Sequence, residues 1–141
     1  MNLNAKTEYA CLAMLELAQH YATGEPVQHR LIAERHGIPA QFLVQILHQL
    51  KRAGLVNSTR GACGGYQLTQ PPQEVTLAEL LDVVEGSTDS TTSAANASPL
   101  APVLLEVCAE LTAVQRERLE AITLADLLDR AAVEADPMWY I

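Results

Sequence analysis

Residues 28–69, QHRLIAERHGIPAQFLVQILHQLKRAGLVNSTRGACGGYQLT, limit what this chain can fold into more than any other stretch. They read as two short helices, a tight turn and a β-hairpin. Ala33 stands four residues before Gly37, and Leu43 and Ile46 follow on the apolar face of the next helical pattern. A small residue at Ala33 permits close helix approach, and Gly37 suits a left-handed turn position because it has no Cβ. The pattern predicts a helix-turn-helix whose second helix is the one that enters a DNA major groove.

In that second helix Leu43, Ile46, Leu47 and Leu50 follow i, i+3, i+4, i+7 and point inward, with Pro39 at the helix entry. The outward set is Ala40, Gln41, Val44, Gln45, His48 and Arg52. Glutamine can bond N6 and N7 of adenine together, so Gln41 is the first candidate base reader; Phe42 either meets a thymine methyl or packs. The alternative for Gln41 and Gln45 is that they are ordinary solvated surface residues. The preceding helix, over about residues 28–36, has Leu31, Ile32 and Ala33 as its expected inner face.

Gly54 closes the recognition helix, residues 55–58 read as a strand, and residues 66–69 return. Gly61, Gly64 and Gly65 permit a tight loop between them on which Arg60 is the only charge. An arginine on a slim loop can enter a narrow minor groove, where the negative potential is strongest. An ordinary surface hairpin is the alternative. A nucleotide-binding loop is discounted, because such a loop needs a helix after it and a strand follows here.

Charge supports nucleic-acid contact once it is divided along the chain. The whole carries −8, but residues 1–70 hold six Lys and Arg against four acids, a net of +2, together with all four histidines. Residues 71–141 hold three against thirteen, a net of −10. Phosphate contact depends on local potential, which is screened beyond about 10 Å in 0.1 M salt, so the N-terminal half can face DNA and the C-terminal half should avoid it.

The 141 residues, 49% hydrophobic, suit one modest core. No apolar run approaches the roughly 20 residues of a membrane span, and the first residues lack a signal-peptide pattern, so a cytoplasmic protein with no membrane partner is expected. Ahead of the helix-turn-helix, Asn4 is placed to cap an almost continuously apolar first helix reaching Tyr21. Beyond the hairpin, Thr76 to Glu79 form a capping box for a short helix, and VTLAELLDVV is echoed by ITLADLLDRA from Ile122, a likeness attributed to shared capping and burial needs. Residues 86–102, rich in serine, threonine and alanine, are expected to be a mobile loop, and the apolar tail at residues 136–141 to fold back onto a groove or a second subunit.

EYA in the first helix, IAERHGIPAQFLVQIL, LKRAGLV and RGACGGYQL together resemble the Rrf-two family of bacterial winged helix-turn-helix transcription regulators. The likeness covers nearly the whole chain and is most specific where AGLV pairs with RG..GGY. It implies a mainly α fold with a small β-hairpin wing: a DNA-binding domain over 1–85, a loop over 86–102 that is the sensor loop in relatives, and a dimerisation helix and tail over 103–141. The implied protein is a homodimeric, sequence-specific regulator, a repressor, bound to a palindromic operator on double-stranded DNA. By position the likeness assigns DNA contact to Ala40, Gln41, Phe42 and Val44 at the start of the recognition helix and to Arg60 at the wing tip; Gln45, His48 and Arg52 on the outward face, with Gln28, Gly64 and Gly65, complete the candidate DNA-binding set. It assigns dimer packing to Leu104, Val107, Cys108, Leu111, Val114, Leu119 and Ile122. Val44 departs from the family pattern, which often has glutamate there.

Cluster-binding relatives carry three closely spaced cysteines in the sensor loop; here residues 86–102 hold neither cysteine nor histidine. An iron–sulfur cluster takes four ligands, mostly thiolates, so no cofactor is expected, and Glu8 with Cys108 is the minimal set the resemblance would leave. Cys11, Cys63 and Cys108 are odd in number and far apart, which suggests neither disulfides nor zinc. Cys11 and Cys108 read as packing residues, whereas Cys63, on the wing beside Arg60, is the candidate for a thiol-redox switch. No metalloprotease motif, nucleophile elbow or nucleotide loop is present, so the chain is not expected to be an enzyme; an interaction module that has lost DNA binding is the remaining alternative.

Overall fold

The structure, a computed structural model, describes residues 3–86 and 98–135. Helix α1 (Ala5–Gln19) is its centre, with Ala10, Ala13, Met14, Leu17 and Ala18 buried against α2, α3, α4, α6 and the hairpin. Asn4 starts it by accepting a hydrogen bond from the Thr7 N–H at 2.8 Å, satisfying one of the free donors of the first turn. The helix stops at Gln19, with His20 at its C-cap, two residues before Tyr21, which lies in the turn that follows.

Helix α2 (His29–His36) ends on Gly37, whose φ of 63° is left-handed, and the Ile38 N–H reaches back to the Ala33 carbonyl at 3.0 Å. The buried Ile38 then lies between α2 and α3 (Ala40–Arg52). Pro39 sits one position earlier than the expected first helical residue. It is the N-cap, in extended conformation, and its carbonyl accepts from the Phe42 and Leu43 N–H groups at 3.1 and 3.0 Å.

The expected inner face of α2 also needs correction. Ile32 is buried and Ala33 half-buried, but Leu31 is 37% exposed. A helix of only eight residues buries little more than one turn, and Leu31 falls on its outer edge, beside Cys63 and Gly64 of the wing. In α3 the expected four, Leu43, Ile46, Leu47 and Leu50, are all at most 1% exposed.

Strands β1 (Val56–Thr59) and β2 (Gly65–Leu68) pair antiparallel in the register Val56 to Leu68 and Thr59 to Gly65. Val27 extends the hairpin by exchanging two backbone hydrogen bonds with Tyr66, at 2.9 and 2.8 Å. Two wing glycines owe their identity to close approach. A Cβ at Gly64 would stand 2.1 Å from the Thr59 carbonyl oxygen, and one at Gly65 would stand 2.5 Å from that of Val27.

After a short 3₁₀ turn (Pro72–Glu74) comes α4 (Leu77–Glu85), capped by the Thr76 hydroxyl, which accepts from the Glu79 N–H at 3.2 Å. Helix α6 (Leu124–Ala135) begins with a full capping box: the Thr123 hydroxyl accepts from the Asp126 N–H and the Asp126 carboxylate accepts from the Thr123 N–H, at 3.2 and 3.0 Å. The two echoing segments turn out to be neighbours. Thr76 and Thr123 form an antiparallel bridge, with the Leu77 N–H donating to the Ile122 carbonyl at 2.9 Å and the Leu124 N–H to the Val75 carbonyl at 3.0 Å. Leu80 and Leu124, the inner leucines of the pair, are fully buried.

Helix α5 (Ala101–Ala121), 21 residues long, is the exception to this packing: not one of its residues is buried. Most of the loop expected at 86–102 and the whole tail expected at 136–141 lie outside the described residues.

Candidate nucleic-acid interface

The outward side of α3 carries Ala40, Gln41, Phe42, Val44, Gln45, His48, Lys51 and Arg52, all exposed. With its inner leucines locked in the core, this helix is held as a rigid rod whose polar row is free to meet a partner. Phe42 is 49% exposed, so about half of its surface is open on this side of the helix.

The wing is tied to the start of α2. Gln28 stands at the N-cap of α2, but its side chain does not cap the helix; its amide Nε2 donates instead to the Ala62 carbonyl of the wing loop at 3.1 Å. Two consequences follow from that one bond. The loop carrying Arg60 is anchored at Ala62, and among the described residues no side chain caps the first turn of α2, whose His29 and Arg30 N–H groups remain open to an anion. Between these elements lies a cleft of about 370 Å³ lined by Gln28, Arg30, Ser58, Arg60, Gly64 and Tyr66. Two guanidinium side chains and an uncapped helix start favour phosphate there.

Behind the helix-turn-helix is a cluster that reading the sequence missed. Glu16 of α1 is 2% exposed, and its carboxylate accepts from His20 Nε2 at 2.8 Å, Arg35 at 3.1 Å and His36 Nε2 at 2.9 Å. Burial by itself would raise the pKa of this carboxyl; the hydrogen bonds from His36 and His20 and the charge of Arg35 together hold it below the ordinary carboxylate value. The ionised Glu16 thereby fastens the C-terminal end of α2 to α1. The available signal was an acid inside an otherwise apolar helical run, with a histidine one turn later.

The cysteines lie on three different elements. Cys11 is half-buried in α1, and desolvation, reinforced by Glu85 and Glu8, pushes its thiol up to about 11. Cys63 on the wing and Cys108 on α5 are exposed. Leu104, Val107, Leu111 and Val114 are exposed along α5, Leu119 is half-buried, and Ile122 lies past the helix end in the bridge to α4.

The family model described as an iron-dependent transcriptional regulator, Rrf2, matches residues 3–130. The chain belongs to the Rrf2 family. It is 39% identical over 129 residues to a protein named as an HTH-type transcriptional regulator in Synechocystis sp., covering 90% of this chain and 87% of that one. It is 42% identical over 91 residues to the HTH-type transcriptional regulator IscR of Aliivibrio salmonicida, covering 64% of this chain and 54% of the relative. Among solved structures, IscR of T. potens superposes with a TM-score of 0.80 at 35% identity, covering 100% of this chain and 97% of that one. CymR of B. subtilis does so with a TM-score of 0.75 at 27% identity, covering 92% and 98%. The chain is therefore a DNA-binding transcription regulator with a winged helix-turn-helix, and not an enzyme. Among the described residues no helix is long and apolar enough to cross a membrane.

The donors present do not fit an iron–sulfur cluster. Cluster iron takes four ligands, mostly thiolates, whereas Cys11, Cys63 and Cys108 lie on three different elements, burial with Glu85 and Glu8 pushes the Cys11 thiol up, and the segment joining α4 to α5 contributes neither cysteine nor histidine.

Proposed function

We propose that this Rrf2-family chain is a homodimeric repressor that binds a palindromic operator and takes its signal from something other than the three-cysteine cluster site of its relatives. The observation that carries the dimer is α5: 21 residues with none buried, and Leu104 and Leu111 each 64% exposed. An apolar stripe of that length has no reason to face water, and a second copy of the same helix covers it symmetrically. Two copies then present two recognition helices to successive major grooves about one helical turn apart.

In each copy Gln41 and Gln45 contact bases, with Ala40, Phe42 and Val44 beside them, while His48 and Arg52 follow along the groove. The backbone phosphate lies in the cleft between the start of α2 and the wing, and Arg60 enters the minor groove. The exposed row on α3 and the Gln28 anchor of the wing support this reading. Selection from random duplex DNA with the purified protein tests it. The expected result is an inverted repeat whose affinity falls steeply with salt; absence of any enrichment at low salt would favour an interaction module.

A second reading concerns the input signal. The Cys63 thiol is exposed and is the immediate neighbour of Ala62, whose carbonyl anchors the wing. Its oxidation would disturb the loop that presents Arg60. Operator binding should then be peroxide-sensitive in the wild type and insensitive in Cys63→Ser; equal sensitivity of the two would end this reading.

A further inference from the structure

Phe42 and Val44 are large apolar side chains on the outward side of α3, 49% and 46% exposed, while the rest of that surface is made of Gln41, Gln45, His48, Lys51, Arg52 and the small Ala40. The helix does not need them for folding, since Leu43, Ile46, Leu47 and Leu50 already fill its inner face. At 3.6 residues per turn, two positions apart means roughly 160° around the helix, so they flank the row of Gln41 and Gln45 on opposite sides. A helix seated in the major groove turns its central row to the base edges and its two flanks to the two strands.

The chemistry of that groove restricts what an aliphatic or aromatic flank can recognise. Guanine shows N7 and O6, adenine N7 and N6, and cytosine N4, all polar; thymine alone adds an apolar group, its C5-methyl. A valine pressed against a polar edge strips it of water and returns no hydrogen bond, which penalises the wrong base as well as rewarding the right one.

We propose that Val44 and Phe42 are specificity-determining residues that read thymine C5-methyl groups, one on each strand, to either side of the base contacted by the glutamine row. This rests on the reading of α3 as the major-groove helix of an operator-binding dimer. It goes further in naming the chemical group recognised and in requiring A·T pairs at both flanking positions of each half-site.

The test uses the full chain and the operator obtained by selection. Each thymine of a half-site is replaced singly by deoxyuridine, which deletes the methyl and keeps every Watson–Crick hydrogen bond. The wild type should lose about four-fold in affinity at two positions per half-site, the worth of one buried methyl-sized group. Val44→Ala should abolish the loss at one of these positions and Phe42→Ala at the other; both side chains are exposed, so the variants should keep the wild-type melting temperature. If every deoxyuridine position is neutral while operator binding and its salt dependence persist, methyl reading is overturned and the operator-binding reading stands. If the loss persists undiminished in both variants, other residues hold the methyls and the proposal also falls. If no sequence is enriched from random DNA, operator binding fails and methyl reading fails with it.

Discussion

Helices α3 and α5 both carry exposed leucines, valines or phenylalanine, yet they solve opposite problems. In α3 an inner row of four residues is sealed in the core, and only Phe42 and Val44 stand out as isolated apolar groups among polar ones. In α5 no residue is buried, and Val103, Leu104, Val107, Leu111 and Val114 run exposed along its length. The α3 pattern is that of a fixed rod offering a few side chains to a polar partner, whereas a continuous stripe fits a surface as apolar as itself. Their surroundings differ in the same sense, since α3 ends in Lys51 and Arg52 while Glu106, Glu110, Glu117 and Glu120 lie on α5.

The contrast can be broken first at α5. Leu111→Glu should convert the proposed dimer to monomer by sedimentation equilibrium and lower operator affinity about a hundredfold or more, because one subunit then holds one half-site without the help of the other. The helical signal in circular dichroism should change little, since Leu111 is 64% exposed in its own subunit. A Leu111→Glu protein that remained dimeric with full affinity would show that the stripe is not the interface.

On the α3 side, the largest effect is expected behind the reading face. Glu16→Ala removes a buried carboxylate from three donors and should cost about 1–3 kcal/mol by denaturant unfolding. The pH dependence has a definite sign. The folded-state pKa of Glu16 lies below the ordinary 4.5, so its contribution is fully present above that value and is lost as pH falls through the lower folded one. The stability gap between wild type and Glu16→Ala should therefore close progressively as pH falls below about pH 4.5; a gap that widened on acidification through that range would contradict the clasp.

Smaller effects separate contact from positioning within the interface. Arg60→Ala should weaken operator binding about tenfold and reduce the slope of log affinity against log salt by about one unit, the signature of a lost DNA contact. Gln28→Ala should weaken binding only about threefold, because it frees the wing from α2 without removing a charge. Its salt slope should stay at the wild-type value; a reduced slope would mean that Gln28 acts electrostatically rather than through Ala62.

Much of this was legible before any coordinates. Local rules act between residues three or four apart, and they sufficed for the Asn4 and Thr76 caps, for Gly37 as the turn glycine and for the inner row of α3. Where the reading erred, the outcome depended on non-local geometry. Leu31 looked internal by its place beside Ile32, but which side of so short a helix is covered depends on the elements packed against it, and here Leu31 stays 37% exposed. Glu16 went unremarked because its partners Arg35 and His36 are 19 and 20 residues away, a separation to which helical periodicity is blind.

By itself, the order of residues determined the fold class, the family and which helix carries a polar outward row, because hydrophobic period, caps and glycine conformations are properties of short segments. Only the tertiary structure decided that the Gln28 amide belongs to the wing and not to its own helix, that the two echoing capped segments lie side by side, and that α5 meets α4, where Arg116 pairs with Asp82, without burying any of its own residues. Each of these depends on which distant surfaces meet, and that is settled by packing the whole core around α1 and not by any stretch read alone.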